Sequence, residues 1–338
     1  MLFKKLAVAS VISMAAAIET HGGIDFEVRW EAGGEPETKP IRDFYVNTGA
    51  EQAATRLYKR ISEKNFQTKC EVTGKTDAES LFALKECIAA EDENAFFSLL
   101  SEDLDEGDAF WEKVVKESTA SRKDWIAARG WVRAYFDGSL TAPQFAAWMT
   151  SEDADKCYLR GNAEHYYKAT ENLSLLQQKS RIFEGWGGVL SSFGSKLIDF
   201  TVPDFQIRKF GTDEYPAEWA IDPSFGFLQR AGPKTLRSGT VWGILHIGVR
   251  DITAAESGNG KSGMEIYGAV WYPPWDQSSE ENQAEFKKML LDEGYQVLAE
   301  VVNFSLQANK DCAQEGKCRL PMAAMPGQGA PGSGKDEL

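Results

Sequence analysis

The order in which two hydrophobic periods occur along the chain restricts its fold more than any other feature. From about Gly49 to Glu171 apolar residues recur three and four apart; from about Lys196 the pattern gives way to Phe-, Val-, Ile- and Trp-rich pieces with strand character. The first pattern predicts helices over Ala50 to Phe66, Asp77 to Leu100, Asp108 to Glu117, Ser121 to Phe136 and Ala142 to Met149. Asp77 and Ser121 stand where N-caps belong, and Asp124 follows Ser121 at capping-box spacing. The second pattern predicts strands over Lys196 to Val202, Phe205 to Phe210, Gly239 to Asp251 and Met264 to Trp271. An early strand, Ile24 to Trp30, alternates without a break, while an amphipathic helix from about Glu281 to Leu291 and an apolar segment, Tyr295 to Leu306, close the chain. Helices and strands grouped in blocks predict an α+β fold, an N-terminal helical layer packed on a C-terminal antiparallel sheet. Residues 21–195 are then the mainly helical region and 196–318 the sheet region with its closing helix, the two forming one domain; 1–20 and 319–338 stand apart as a leader and a flexible tail.

The leader has a basic start, Lys4-Lys5, an apolar run from Leu6 and a small-residue end, Ala15-Ala16-Ala17. This is the layout of a cleavable signal peptide, and its apolar run falls short of the ~20 residues a membrane-spanning helix needs. No later stretch is long and apolar enough either, so no integral membrane segment is expected. The tail, Pro321 to Gly334, is rich in Pro, Gly and Ala, and it leads to Lys335-Asp336-Glu337-Leu338. That tetrapeptide is the retrieval signal read by the KDEL receptor, which makes the endoplasmic reticulum lumen the expected location.

An oxidising lumen sets the expectations for cysteine. Cys70 with Cys87, and Cys312 with Cys318, are close enough in sequence to pair, leaving Cys157 as a buried thiol. Asn172 and Asn303 begin sequons and are the candidate glycosylation sites. The formal charge of −14 repels phosphate backbones, so nucleic acid is not an expected partner.

Several motifs fail on context. Gly258-Asn259-Gly260-Lys261-Ser262-Gly263 has the spacing of a phosphate loop but lies between two expected strands rather than at a helix start, so it reads as a hairpin loop. Asp137-Gly138 reads as a turn, because Arg133, Tyr135 and Gln144 occupy calcium-ligand positions. The three histidines, His21, His165 and His246, lack ligand spacing, so neither a metal nor another cofactor is expected.

One constellation carries chemistry. With Asp251 opposite Met264, alternation puts Val241, Leu245, Ile247 and Val249 on a core face with Met264, Ile266 and Val270. The other face aligns Arg250 with Glu265, Gly248 with Tyr267, His246 with Ala269 and Ile244 with Trp271, with Trp242 beyond. Roofed by helices, that face makes an apolar pocket with convergent polar groups. His246 exchanges a proton, Glu265 or Asp251 orients it, Arg250 completes a charge pair and Tyr267 donates to a substrate oxygen; Trp242, Ile244 and Trp271 form the walls. His165 and Tyr166, in a segment of possible helical character, form a second candidate set that joins the pocket if the helical layer covers the sheet. The expected function is a lumenal acid–base enzyme, of isomerase, dehydratase, cyclase or hydrolase type, acting on a small apolar substrate. The alternatives are a non-catalytic lumenal binder or folding helper, and a toxin-like effector that exploits retrieval.

Overall fold

The computed structural model describes residues 18–32, 35–37, 49–174 and 177–314. The leader, the tail with its retrieval signal, and Cys318 lie outside the described residues, so the expected Cys312–Cys318 pair does too.

The fold is mixed α+β. Ten described strands form one antiparallel sheet: β1 (Glu19–His21), β2 (Ile24–Ala32), β3 (Glu35–Glu37), β4 (Ile126–Tyr135), β5 (His165–Ser174), β6 (Gln177–Trp186), β7 (Lys196–Ile207), β8 (Arg230–Leu236), β9 (Val241–Ile252) and β10 (Gly263–Tyr272). Their order is β1-β2-β4-β10-β9-β8-β7-β6-β5, with β3 beside β2. The helices are α1 (Ala50–Glu63), α2 (Ala78–Glu91), α3 (Ala95–Leu99), α4 (Ser101–Lys116), α5 (Ala142–Trp148), α6 (Glu152–Gly161) and α7 (Glu280–Asn309).

Two expectations need correction. The segment Ser121 to Phe136 is not a helix: apart from a short turn at Arg122–Asp124 it is β4. Its alanines mimic a helical period, but Arg129, Trp131, Arg133 and Tyr135 alternate with Ala128, Gly130, Val132 and Ala134, and the second set is the one that packs under α7. The region before residue 196 also contains β5 and β6, so helices and strands are not divided at that point, and helices lie on both the N- and C-terminal sides of the sheet's strands. Two smaller differences have local causes. Lys196 to Phe210 is largely one strand, β7, because a register shift against β8 between Thr201 and Gln206 absorbs Pro203. The last two apolar segments are one 30-residue helix, α7.

Other local expectations hold. Asp77 caps α2, its side chain accepting from the Ser80 amide at 2.9 Å. The glycine-rich loop joins β9 to β10, with Gly258 and Gly260 at positive φ. The hairpin register matches residue for residue: Asp251 opposite Met264, Arg250 opposite Glu265, His246 opposite Ala269 and Ile244 opposite Trp271.

The sheet curls around α7. Trp186 on β6 and Tyr272 on β10 are four strand positions apart, which in a flat sheet would be roughly 19 Å. Their rings lie 4.8 Å apart, and the indole N–H donates to the Tyr272 hydroxyl. Trp111 of α4 enters the same cluster, 4.6 Å from Trp186 and 4.5 Å from Trp242. Such aromatic pairs each contribute about 0.5–1.5 kcal/mol beyond burial. α7 lies in the resulting trough, over β4 and β2. It approaches so closely at Gly130 that a Cβ there would meet a Leu298 methyl at 2.7 Å. We call this α7-covered surface the inner face. On the outer face, α1 to α4 pack with Tyr166, Phe183 and Leu197 in a second cluster, and Tyr215, Trp219 and Phe225 cover β8 to β10 in a third.

Candidate functional site

The hairpin face expected to carry chemistry is the outer one, and it is filled. His246 is fully buried, stacked on the Phe210 ring at 4.8 Å and edge-on to Tyr267 at 4.9 Å. Neither imidazole nitrogen has a hydrogen-bond partner among the described residues, and burial, reinforced by the charge of Arg129, lowers its pKa to about 3. Arg250 pairs with Glu265 at 2.6 Å, and Glu265 also accepts from Arg133. Asp251 faces elsewhere, accepting the Ala142 amide at 2.7 Å at the start of α5. Ile244 and Trp271 pack with Trp219 on this face, whereas Trp242 does not. The β8–β9 register shifts between Lys234 and Thr235, and Trp242 points inward against Phe200 and Tyr272. This bulge corrects the expectation that Trp242 continues the His246 face.

The face read from sequence as core borders open space. Between it and α5, α6 and α7 lies a cavity of about 120 Å³, lined by Leu245, Ile247, Ile266 and Val270 and, from α7, Val297 and Val301. A second cavity of about 80 Å³ shares Phe145, Met149, Lys168, Ile182, Leu245 and Ile247 with the first, so the two adjoin along the inner face. Each far exceeds the ~10–15 Å³ that admits one water.

At one end the apolar walls give way to a cluster of ionisable groups. Glu184 of β6 accepts from Tyr158 at 2.6 Å through one oxygen and from Lys234 at 2.9 Å through the other. The Lys234 ammonium lies 4.3 Å from the Phe200 ring centroid and 4.4 Å from that of Trp242. Burial opposes ionisation of Glu184, but Lys234 and His165 outweigh it and leave its pKa lowered. Glu293 of α7 is pushed well above the usual carboxylate range, first by burial and then by Glu184 and Glu300, against the pull of Lys234. It accepts from the Tyr272 hydroxyl at 3.3 Å.

The segment carrying His165 and Tyr166 is a strand, not a helix, and the two side chains part company. Tyr166 joins the outer cluster, 3.0 Å from Glu164, which Arg56 also holds at 2.7 Å. His165 turns inward and stacks on Tyr158, ring centroids 3.7 Å apart. Its Nδ1 lies 2.8 Å from the Tyr158 carbonyl and its Nε2 2.9 Å from Glu300 Oε1. A carbonyl only accepts, so Nδ1 carries a hydrogen, and the contact at Nε2 requires one more proton shared with Glu300. His165 and His246 therefore occupy opposite faces of the sheet and do not meet.

Donor atoms of His165, Glu184 and Glu300 all lie within 4.8 Å of one another, a grouping of metal-ligand type. Their hydrogen-bonding capacity is already engaged by Tyr158, Lys234 and one another, so a cation would have to displace those partners.

Among the other expected residues, Cys70 and Cys87 form a disulfide. Cys157 is free and half-buried, and burial pushes its thiol up to about 11. Asn172 is exposed on β5, and Asn303 lies within α7, where its amide donates to the Gly161 carbonyl at 2.9 Å. Among the described residues no helix is long and apolar enough to cross a membrane.

Sequence reasoning missed Glu184, Lys234, Glu293 and Glu300. For two of them a signal was available: Glu293 and Glu300 are seven apart on α7, hence on one face. No protein-family model matches the chain, and no curated protein matches it.

Proposed function

We propose that this protein binds a small, largely apolar molecule in the paired cavities between α7 and the inner face of the sheet. The observation that carries this reading is the conjunction of apolar walls with a buried polar cluster at one end, the character of a ligand site rather than of a packing defect. The test is titration with aminoanthracene, an apolar fluorophore, against the wild type and Ile247→Trp, whose side chain would fill the space where the cavities adjoin. Saturable fluorescence enhancement that falls at least about tenfold in affinity in the variant supports the reading. Equal enhancement in both, with both folded, overturns it.

Acid–base turnover of that ligand is the second reading, favoured by the proton between His165 and Glu300 beside the cavity. His246 is enclosed by Phe210 and Tyr267, whereas His165 bonds Glu300, which lines the larger cavity, so this role passes to the His165–Glu300 pair. An enzyme would lose turnover in His165→Gln while retaining aminoanthracene binding; a pure binder has no turnover to lose. The working compartment we propose is an oxidising lumen, supported by the Cys70–Cys87 disulfide. Recovery of native protein with both thiols free would argue against it.

A further inference from the structure

The paired cavities contain a cation that no acidic group among the described residues neutralises. Arg230 begins β8 and Lys234 follows four residues later, so both side chains project onto the inner face, roughly 13 Å apart along the strand. The two are treated differently. Lys234 is buried and held by Glu184, and Lys168, which lines both cavities, is held by Asp155 at 2.7 Å. Arg230 lines the smaller cavity and is only partly buried. Burial pulls its pKa down with no acidic group among the described residues set against it. A partly desolvated guanidinium with no counter-ion among the described residues is costly, and its forked donors match a carboxylate in two parallel hydrogen bonds.

The opposite end has the reverse character. Glu184 is matched by Lys234, Glu300 by His165, and Glu293 is held in its neutral form, so among the described residues no unpaired cation waits there for an anion. A ligand with one acidic group would therefore enter tail first.

We propose that the ligand is a single-headed carboxylate amphiphile, its carboxylate paired with Arg230 and its apolar chain running between the sheet and α7 toward Lys234. This rests on the cavity reading above and narrows it to a chemical class and an orientation.

The experiment measures binding of decanoate and of decanol, by displacement of aminoanthracene at neutral pH, to the wild type, Arg230→Gln and Arg230→Lys, with melting temperature recorded for each. The wild type should prefer decanoate by about tenfold or more. Arg230→Gln should lose that preference by weakening decanoate alone, and Arg230→Lys, which keeps the charge but not the fork, should retain part of it. Decanol binding as tightly as decanoate, or decanoate affinity unchanged in Arg230→Gln, would overturn the inference while leaving the cavity reading intact. Failure of both compounds to displace the bound fluorophore would also overturn the inference, whereas failure of aminoanthracene itself to bind the folded wild type would remove the cavity reading with it.

Discussion

The Lys234 ammonium lies 2.9 Å from Glu184 across the width of β7, closing the polar end of the inner-face cavity. Both side chains are largely withdrawn from water, with the lysine only 2% exposed. Removing one partner leaves an uncompensated buried charge, which costs far more than the pair itself contributes. Lys234→Met should therefore destabilise by about 3–5 kcal/mol, and Glu184→Gln combined with it should recover a substantial part of that loss. Urea unfolding of the two single variants and the double variant measures the coupling; additive losses would contradict this description.

Glu293 works in the other direction. Its folded-state pKa is raised above the unfolded value, first by burial. The folded form therefore keeps a proton that the unfolded chain releases, and stability present below about pH 4.5 declines as pH rises toward the raised value. Glu293→Gln keeps the shape without the titration. It should be more stable than the wild type at pH 8 and show no advantage at pH 4. Unfolding curves at the two pH values check this.

His246 has its folded pKa lowered, to about 3, so its contribution is present above the unfolded value near 6.5 and is lost as pH falls. Acidification from pH 7 to 5 should cost about 2 kcal/mol through this residue alone. In His246→Phe, where a ring of similar size stays between Phe210 and Tyr267, that part of the acid sensitivity should vanish. An unchanged pH profile would show that the imidazole is not held neutral in the folded state.

The Cys70–Cys87 disulfide ties the segment after α1 to α2, closing a separation of 17 residues. Its reduction should cost about 3 kcal/mol, read as a lower melting temperature under reductant in the wild type but not in a Cys70→Ser, Cys87→Ser variant.

Much of the hairpin was legible in the sequence because period-two alternation excludes every odd shift in register, each of which would part Leu245, Ile247 and Val249 from Met264, Ile266 and Val270. What alternation does not reveal is which face stays filled. The aromatic outer face looked like a pocket, yet Tyr215, Trp219 and Phe225 arrive from the irregular segment before β8 and fill it. The aliphatic face looked like solid core, yet α7 leaves space above it. β4 was misread because Ala and Gly under a close helix carry little strand propensity; Gly130 is there to admit Leu298, a tertiary demand with no local trace. The site's charges come from β6, β8 and α7, which only the curl of the sheet brings together.

The most direct test is a methyl-resolved NMR titration of the protein with decanoate. Shift changes and ligand contacts should fall on Leu245, Ile247, Val297 and Val301, which line the inner-face cavity, while Ile221 and Ile244 beneath the outer cap stay still. Perturbations centred on Ile244 and Ile221, or no saturable change at any methyl, would contradict the assignment of the inner face as the binding site.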